Sequence, residues 1–376
     1  MSREASRDAD ATVRAHVTQA RRIVVKIGSS TIASDPDVVS RLARGVAFAL
    51  KKGKSCVIVS SGAIALGTRK LGFRSRPREM AKLQAAAAAG QSVLVRAYEE
   101  AFMALGIPVA QVLLTHADLA DRTRGNNARA ALEALLEAGA VPILNENDSV
   151  AVEEIKFGDN DQLAAMVTPL VGADLLVLLS DVDGLLDASG KRVRMVEDAA
   201  SAALHVRASK SAVGTGGMGS KVEAARRATL AGAHVILANA TTDQILESIL
   251  SGADIGTHFL PAKQRLTAKK HWIAFTLRPR GDIALDAGAA LAVRTKGKSV
   301  LAVGVLGIRG DFRAGDAVRI IDSNGTEIGR GLAGANALDA ARVAGQKSDS
   351  KDHAVELVHR DDLVVWPLVA TDAAKT

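Results

Sequence analysis

Residues 140–161 read AVPILNENDSVAVEEIKFGDND. The opening run, Ala140 to Leu144, has the length and branching of a buried strand, so Asn145 to Asp148 fall just past a strand's carboxyl end. That edge is where open α/β sheets bind ligands. The closing cluster, Gly158-Asp159-Asn160-Asp161, directly precedes the apolar helical pattern of Gln162 to Val167 and offers an Asp or Asn as N-cap. A cap needs one such residue. Six Asp or Asn side chains in two short bursts exceed that need, and the stretch is read as a ligand site between a strand and a helix.

Working outward, the order of strand, small-residue turn and helix recurs. Ile23 to Ile27 is a strand whose one polar member is Lys26; it closes in Gly28-Ser29-Ser30 ahead of helical periodicity over Val38 to Leu50. Backbone N–H groups in such a turn can meet an anion while a lysine adds point charge. Ser55 to Val59 is a second strand, and Ser60-Ser61-Gly62-Ala63 again turns from strand to helix, a second anion or substrate loop. Helical patterns run from Arg78 to Leu105 with an interruption near Gly90. A strand follows at Ile107 to Leu114, and Arg124 to Asn127 leads into a helix over Ala128 to Glu137. Ala173 to Leu179 is a near-continuous apolar strand ending in Ser180-Asp181, Ala233 to Ala238 another, and Ile245 to Leu250 a helix. This alternation predicts a doubly wound, mainly parallel open sheet of α/β class with three αβα layers.

Gly214-Thr215-Gly216-Gly217-Met218-Gly219-Ser220-Lys221 opens a helix expected over Val222 to Ala231. The glycines match G-x-G-x-x-G, but no strand precedes them, which argues against a dinucleotide fold. Ser220 separates Gly219 from Lys221, which excludes a Walker A motif. A Gly-rich loop delivering Thr215 and Lys221 to a helix N-terminus suits a triphosphate.

Of the 376 residues 48% are hydrophobic but only 3% aromatic, so the core is built from Ala, Val, Leu and Ile, as in an α/β protein of two or three domains. The single cysteine, Cys56, lies in an apolar run and reads as a small buried hydrophobe. No run is long enough to span a membrane and no signal-peptide pattern opens the chain, so a cytoplasmic protein is expected. The net charge of +7 is concentrated: six uncompensated Lys and Arg lie in PAKQRLTAKKHWIAFTLRPR, residues 261–280, read as a basic linker. After it, short strands alternate with turn signals, a small mainly β domain. The expected organisation is a disordered tail over 1–20, an α/β domain over 21–260, the linker over 261–280 and the β domain over 281–368.

The order of these motifs resembles the glutamate 5-kinase branch of the amino acid kinase family. The residues that carry the likeness are Val24 to Ser30, Ser60 to Ala65, the NEND and GDND pairs, and Gly214 to Lys221. The last domain resembles the PUA domain, a small β-barrel. The resemblance implies ATP-dependent phosphorylation of the γ-carboxylate of L-glutamate to L-glutamyl 5-phosphate, the first step of proline biosynthesis, with proline as inhibitor. It implies an ATP site of Lys26, Ser180, Asp181, Thr215, Gly216, Gly217, Met218, Gly219, Ser220 and Lys221, with Lys26 and Lys221 as catalytic residues. Ser61, Asp148 and Asn160 would bind glutamate, Asp148 facing its ammonium; Gly28, Gly62, Asn145, Asp159 and Asp161 would support them. A homo-oligomer and coupling to glutamate-5-semialdehyde dehydrogenase are also implied. The chain departs from the family pattern in Gly219-Ser220, where Ser-Thr is usual, and in Ser180, where Thr is common; both touch only fine nucleotide contacts. Ten carboxylates and one lysine between residues 145 and 187 make a poor field for two anionic substrates. Mg2+ on the phosphates resolves that conflict; its protein ligands are not visible in the sequence. Two rival readings are a kinase of the same fold acting on another small acid, and an RNA-binding protein working through the last domain. Stacking on single-stranded RNA leans on aromatic side chains, and from residue 281 onward there are only Phe312 and Trp366.

Overall fold

The computed structural model describes residues 14–150, 160–199, 201–202, 217–346 and 355–366. The chain divides into two compact units, Met1–Arg265 and Leu266–Thr376.

In the first unit the elements run α1 (14–19), β1 (Arg22–Ile27), α2 (Ser29–Ser34), α3 (Val38–Lys51), β2 (Ser55–Ser60), α4 (Ala63–Lys70), α5 (Met80–Met103), β3 (Val109–Leu114), α6 (His116–Ala120), α7 (Arg122–Glu137) and β4 (Val141–Glu146). They continue with α8 (Asn160–Leu170), β5 (Leu175–Ser180), β6 (Met195–Val196), α9 (Met218–Leu230), β7 (His234–Asn239), α10 (Ile245–Leu250) and β8 (Thr257–Phe259). The eight strands form one sheet in the order β3-β4-β2-β1-β5-β7-β8-β6, parallel except where β8 runs against β7.

Strand periodicity sorts the apolar side chains into two layers. Ile23, Val25, Cys56, Ile58, Val177 and Leu179 face a core shared with α3, α5 and α10, while Val24, Val57, Val59, Leu176 and Leu178 face one shared with α7, α8 and α9. Lys26 has the parity of Val24 and therefore points toward α8 and α9. The direction of winding reverses at β1, which pairs with β2 on one side and β5 on the other. A crevice opens at the carboxyl ends of strands at such a switch point. Cys56 is fully buried, and burial pushes its thiol up to about 12, so it is an inert core residue.

Several local expectations are corrected. Residues 14–20 do not belong to a disordered tail: Val17 and Ala20 are buried, and Arg14 donates to the carbonyls of Ala253 (2.7 Å) and Ile255 (3.1 Å) and pairs with Asp254. Arg124 to Asn127 lie inside α7, because Asp121 caps it by accepting from the Arg124 N–H at 2.8 Å. α5 runs unbroken through Gly90. A Cβ on Gly90 would lie 1.8 Å from the Ala63 carbonyl oxygen, and one on Gly67 would lie 1.7 Å from that of Ala86. Glycine therefore serves backbone contact between α4 and α5 rather than a break in the helix.

In the second unit a five-stranded sheet has the order β11-β9-β12-β13-β15, built from β9 (Gly281–Leu285), β11 (Val305–Gly310), β12 (Ala317–Ile321), β13 (Glu327–Leu332) and β15 (Leu363–Val365). β10 (Val300–Leu301) and β14 (Glu356–Val358) form a separate pair. The expected barrel is not closed among the described residues, since β11 and β15 each pair on one side only. Ile283, Phe312, Val318, Ile320 and Val358 fill its core. The segment expected as a linker is divided. Residues 266–280 belong to this unit, with a helical turn Ala268–His271 and a π-helical turn Trp272–Thr276, because aromatic side chains anchor them: Phe275 lies 6.1 Å from the Trp366 ring, and Arg330 donates to the Ala274 carbonyl at 2.9 Å.

The helix crossing yields a stability prediction. Gly90→Ala is expected to destabilise the first unit by about 2 kcal/mol or more, because the added methyl must displace backbone rather than a side chain. Urea unfolding of the variant tests this, and an unchanged midpoint would show that the crossing relaxes freely.

Candidate active site

At the carboxyl edge of the sheet, three consecutive residues at the start of α8 reach three different neighbours. Successive helix residues are turned by about 100°, so Asn160, Asp161 and Gln162 necessarily diverge. Asn160 turns to the β2 loop, where its Nδ2 donates to Ser60 O (3.1 Å), Ser61 Oγ (2.8 Å) and Asn145 Oδ1 (2.9 Å). Asp161 turns to the lysines: its Oδ1 lies 2.5 Å from Lys26 Nζ and its Oδ2 3.4 Å from Lys221 Nζ. Gln162 reaches the first turn of α9, donating from Nε2 to Ser220 O at 3.4 Å.

Asp161 is 1% exposed, and Lys26 and Lys221 are buried with it. Burial pushes the Asp161 carboxyl up, but the two ammonium groups beside it outweigh that and hold it below the usual carboxylate range. It is thus a fixed anion between two cations. Lys221 is the fourth residue of α9, which begins at Met218 with Gly217 as N-cap, one turn earlier than the sequence suggests. Ser180 ends β5, which lies beside β1, Asp181 follows it, and Ser180 Oγ donates to Asp181 Oδ1 at 3.0 Å. Lys26, Ser180 and Asp181 therefore lie at strand ends, as the sequence placed them, while Met218 to Lys221 form the first turn of α9 rather than a loop ahead of it. Asp159, Thr215 and Gly216, also expected at the site, lie outside the described residues.

On the other side of Asn160 is a cavity of about 320 Å³ lined by Ser29, Ser61, Gly62, Asn145, Asp148 and Asn160, with Arg69, Arg74 and Arg76 among its exposed residues. Gly62 adopts φ 103° as N-cap of α4, a left-handed conformation that favours glycine, and a Cβ there would also meet Ile32 at 3.0 Å. Gly28, by contrast, has φ −77°, and a Cβ would make only ordinary contacts, so backbone strain does not require it. Asp148 is buried, and burial pushes its carboxyl up to about 6 against the pull of Arg76. Asp148 Oδ1 and Asn160 Oδ1 are both buried without a hydrogen-bond partner among the described residues. Two such acceptors in one cavity call for a donor brought by a ligand; a primary ammonium carries three.

The sequence reading brought Ser61, Asn145, Asp148 and Asn160 together, as the structure does. It assigned Asp161 only a supporting place, and it missed the arginines of the cavity mouth, although the dense charge of Arg74-Ser75-Arg76-Pro77-Arg78 was visible.

The amino acid kinase family matches residues 21–239 and the PUA domain residues 281–355. A glutamate 5-kinase of Syntrophotalea carbinolica is 45% identical over 369 residues, covering 93% of this chain and 98% of its own. That of Thermus thermophilus is 43% identical over 362 residues, covering 92% and 97%. Among solved structures, the N-acetylglutamate synthase of Neisseria gonorrhoeae in complex with coenzyme A and N-acetyl-glutamate shares the fold with a TM-score of 0.50. Its identity is 17%, and the match covers 67% of this chain and 63% of that one.

The lysine pair gives a direct test. Asp161→Asn is expected to lower kcat on the order of 10²-fold, with smaller changes in either substrate's KM, because the lysines lose the anion that aims them at developing charge. Near-normal kcat in folded Asp161→Asn protein would remove it from the site's work.

Proposed function

From the premise that the chain belongs to the amino acid kinase family, and within it to the glutamate 5-kinases, we propose that the cavity beside Asn160 seats L-glutamate with its γ-carboxylate toward Lys26 and Lys221, where ATP presents its γ-phosphoryl. The observation that carries this reading is the divergence of Asn160, Asp161 and Gln162. One helix start joins a cavity with orphan acceptors, a buried lysine pair and the first turn of α9.

The reaction forms a bond between a γ-carboxylate oxygen and the γ-phosphorus while the bond to the β-phosphate oxygen breaks, giving L-glutamyl 5-phosphate and ADP. The nucleophile is already ionised, so no proton has to move and no general base is needed. The protein's task is positioning and charge neutralisation. Asp161 suits that task, since an anion held between two lysines orients them without accepting a proton. Lys26 and Lys221 approach the transferring phosphoryl, while Ser180, Asp181, Thr215, Gly216 and the N-terminal turn of α9 hold the nucleotide. Asp148 and Asn160 take the substrate's ammonium, and the arginines at the mouth attract an acidic substrate.

Among the described residues no group of three His, Cys, Asp or Glu side chains could hold a metal ion. Mg2+ usually keeps several waters and binds through substrate phosphates with one or two carboxylates, so an ion that arrives on the nucleotide needs no protein cage. When bound it neutralises phosphate charge. Proline carries an ammonium and a carboxylate in the same relation as glutamate, so the Asp148 and Asn160 pair would read it as an inhibitor. The acyl phosphate product suits consumption by glutamate-5-semialdehyde dehydrogenase, and a homo-oligomer remains part of this reading. No helix among the described residues is long and apolar enough to cross a membrane. Every residue given a role here lies in the first unit.

Turnover of purified protein with ATP and, in turn, glutamate, aspartate and acetylglutamate tests the substrate. Glutamate should be phosphorylated and proline should slow it; activity on either other acid without activity on glutamate would contradict the reading. The acidity of Asp148 adds a pH signature. Its folded pKa lies above the ordinary carboxylate value, so the carboxylate needed for the ammonium is gained as pH rises through about 6. By linkage, the ligand-free fold loses this group's stabilisation over the same interval, from about pH 4 to about 6. The glutamate KM should therefore fall as pH rises through that range. In Asp148→Asn that limb should flatten and the glutamate KM should rise far more than the ATP KM; a defect confined to ATP would move Asp148 to the nucleotide side.

A further inference from the structure

We propose that Gln91, on α5, is a positioning residue for substrate binding: by fixing the carboxamide of Asn145 it fixes that of Asn160, and so presents Asn160 Oδ1 to the substrate's ammonium. The proposal rests on the assignment of the cavity to glutamate.

The amide of Asn145 is almost wholly buried, and each of its ends has a defined partner. Its Nδ2 donates to Gln91 Oε1 at 2.8 Å. Its Oδ1 accepts from the Glu146 N–H at 2.9 Å and from Asn160 Nδ2 at 2.9 Å. An amide turned by 180° would put Nδ2 against two donors, so this orientation is forced as long as Gln91 supplies an acceptor on the far side. The same logic passes to Asn160. Its Nδ2 is drawn by Ser60 O, Ser61 Oγ and Asn145 Oδ1, which leaves Oδ1 on the opposite side, buried and without a hydrogen-bond partner among the described residues. If Asn145 turned, its Nδ2 would face Asn160 Nδ2 and the order of both amides would be lost.

Gln91 is well placed to act as the fixed end of this relay. The residue before it, Gly90, is in backbone contact with Ala63 at the start of α4, the element whose first residues line the cavity. Two turns later on α5, Tyr98 donates to Ser60 Oγ at 2.9 Å. α5 thus braces the cavity at three points, two on the turn from β2 to α4 and one at the end of β4, where Gln91 reaches the amide of Asn145. Gln91 Nε2 has no hydrogen-bond partner among the described residues. The polar contact Gln91 offers the site is therefore acceptance by Oε1 alone, which a glutamate side chain of the same length keeps and an apolar one does not.

The test compares the full-length chain with Gln91→Leu, Gln91→Met and Gln91→Glu, with Asp148→Asn as reference, in steady-state kinetics with ATP and glutamate. Gln91→Leu, or Gln91→Met should the former not fold, is expected to raise the glutamate KM on the order of 10-fold while kcat and the ATP KM change little. Gln91→Glu should return the glutamate KM to near the unsubstituted value. In an Asn145→Ala background, Gln91→Leu should add almost nothing, since residues of one relay are not additive. An unchanged glutamate KM in both apolar variants, while Asp148→Asn raises it, would overturn the relay and leave the cavity assignment standing. Equal impairment of Gln91→Leu and Gln91→Glu in both KM values would overturn it in favour of plain packing. An unchanged glutamate KM in Asp148→Asn would overturn the cavity assignment and this proposal with it.

Discussion

The structure depends on a carboxylate that is kept charged out of water. Asp161 is 1% exposed, and its two oxygens lie against Lys26 and Lys221 at 2.5 Å and 3.4 Å. Burial of such charges costs several kcal/mol for each ion and is repaid only when partners are near and well oriented. Three elements must therefore meet with little freedom: the end of β1, the start of α8 and the first turn of α9. The doubly wound sheet meets that demand because β1 is central, its residues alternate between two fully packed layers, and Lys26 falls on the layer that carries both helices. Without ligand the arrangement is two cations on one anion, a surplus of positive charge that an anionic transition state can use.

A second constraint governs the substrate side. There, apart from the Asp148 carboxylate, the buried groups around Asn160 are neutral amides and hydroxyls, and their order comes from satisfying donors and acceptors rather than from charge. Ser60, Ser61, Asn145 and Asn160 close a network, and beside it two acceptors, Asp148 Oδ1 and Asn160 Oδ1, have no hydrogen-bond partner among the described residues. The two regimes are adjacent residues of one helix: an ionic centre at Asp161 and an amide centre at Asn160. A ligand that spans them needs an ammonium at one end and a carboxylate at the other.

Much of this is legible in the sequence, for identifiable reasons. Strands buried on both faces appear as continuous apolar runs, so β1, β2, β4 and β5 and the loops after them could be read directly, and with them Lys26, Ser61, Asn145, Asp148 and Asp181. The cluster Asp159-Asn160-Asp161 was visible as chemistry but not as direction. Which of its members meets the lysines depends on the turn of the helix and on Lys221, sixty residues away. Gly90 reads as a break because a lone glycine in a helical pattern carries no sign of the helix that crosses it. The small domain's strands were legible from their turns, but closure into a barrel depends on how its edge strands pair, which short-range patterning does not encode. Residues 14–20 looked like a tail because their anchors, around Asp254, lie more than two hundred residues further on.

The most direct measurement is a crystal structure of the chain with glutamate and a non-hydrolysable ATP analogue. The account predicts Lys26 Nζ and Lys221 Nζ on either side of the γ-phosphoryl with Asp161 still between them, and the glutamate ammonium on Asp148 and Asn160 Oδ1. Glutamate seated away from that cavity, or either lysine turned from the phosphoryl, would contradict it.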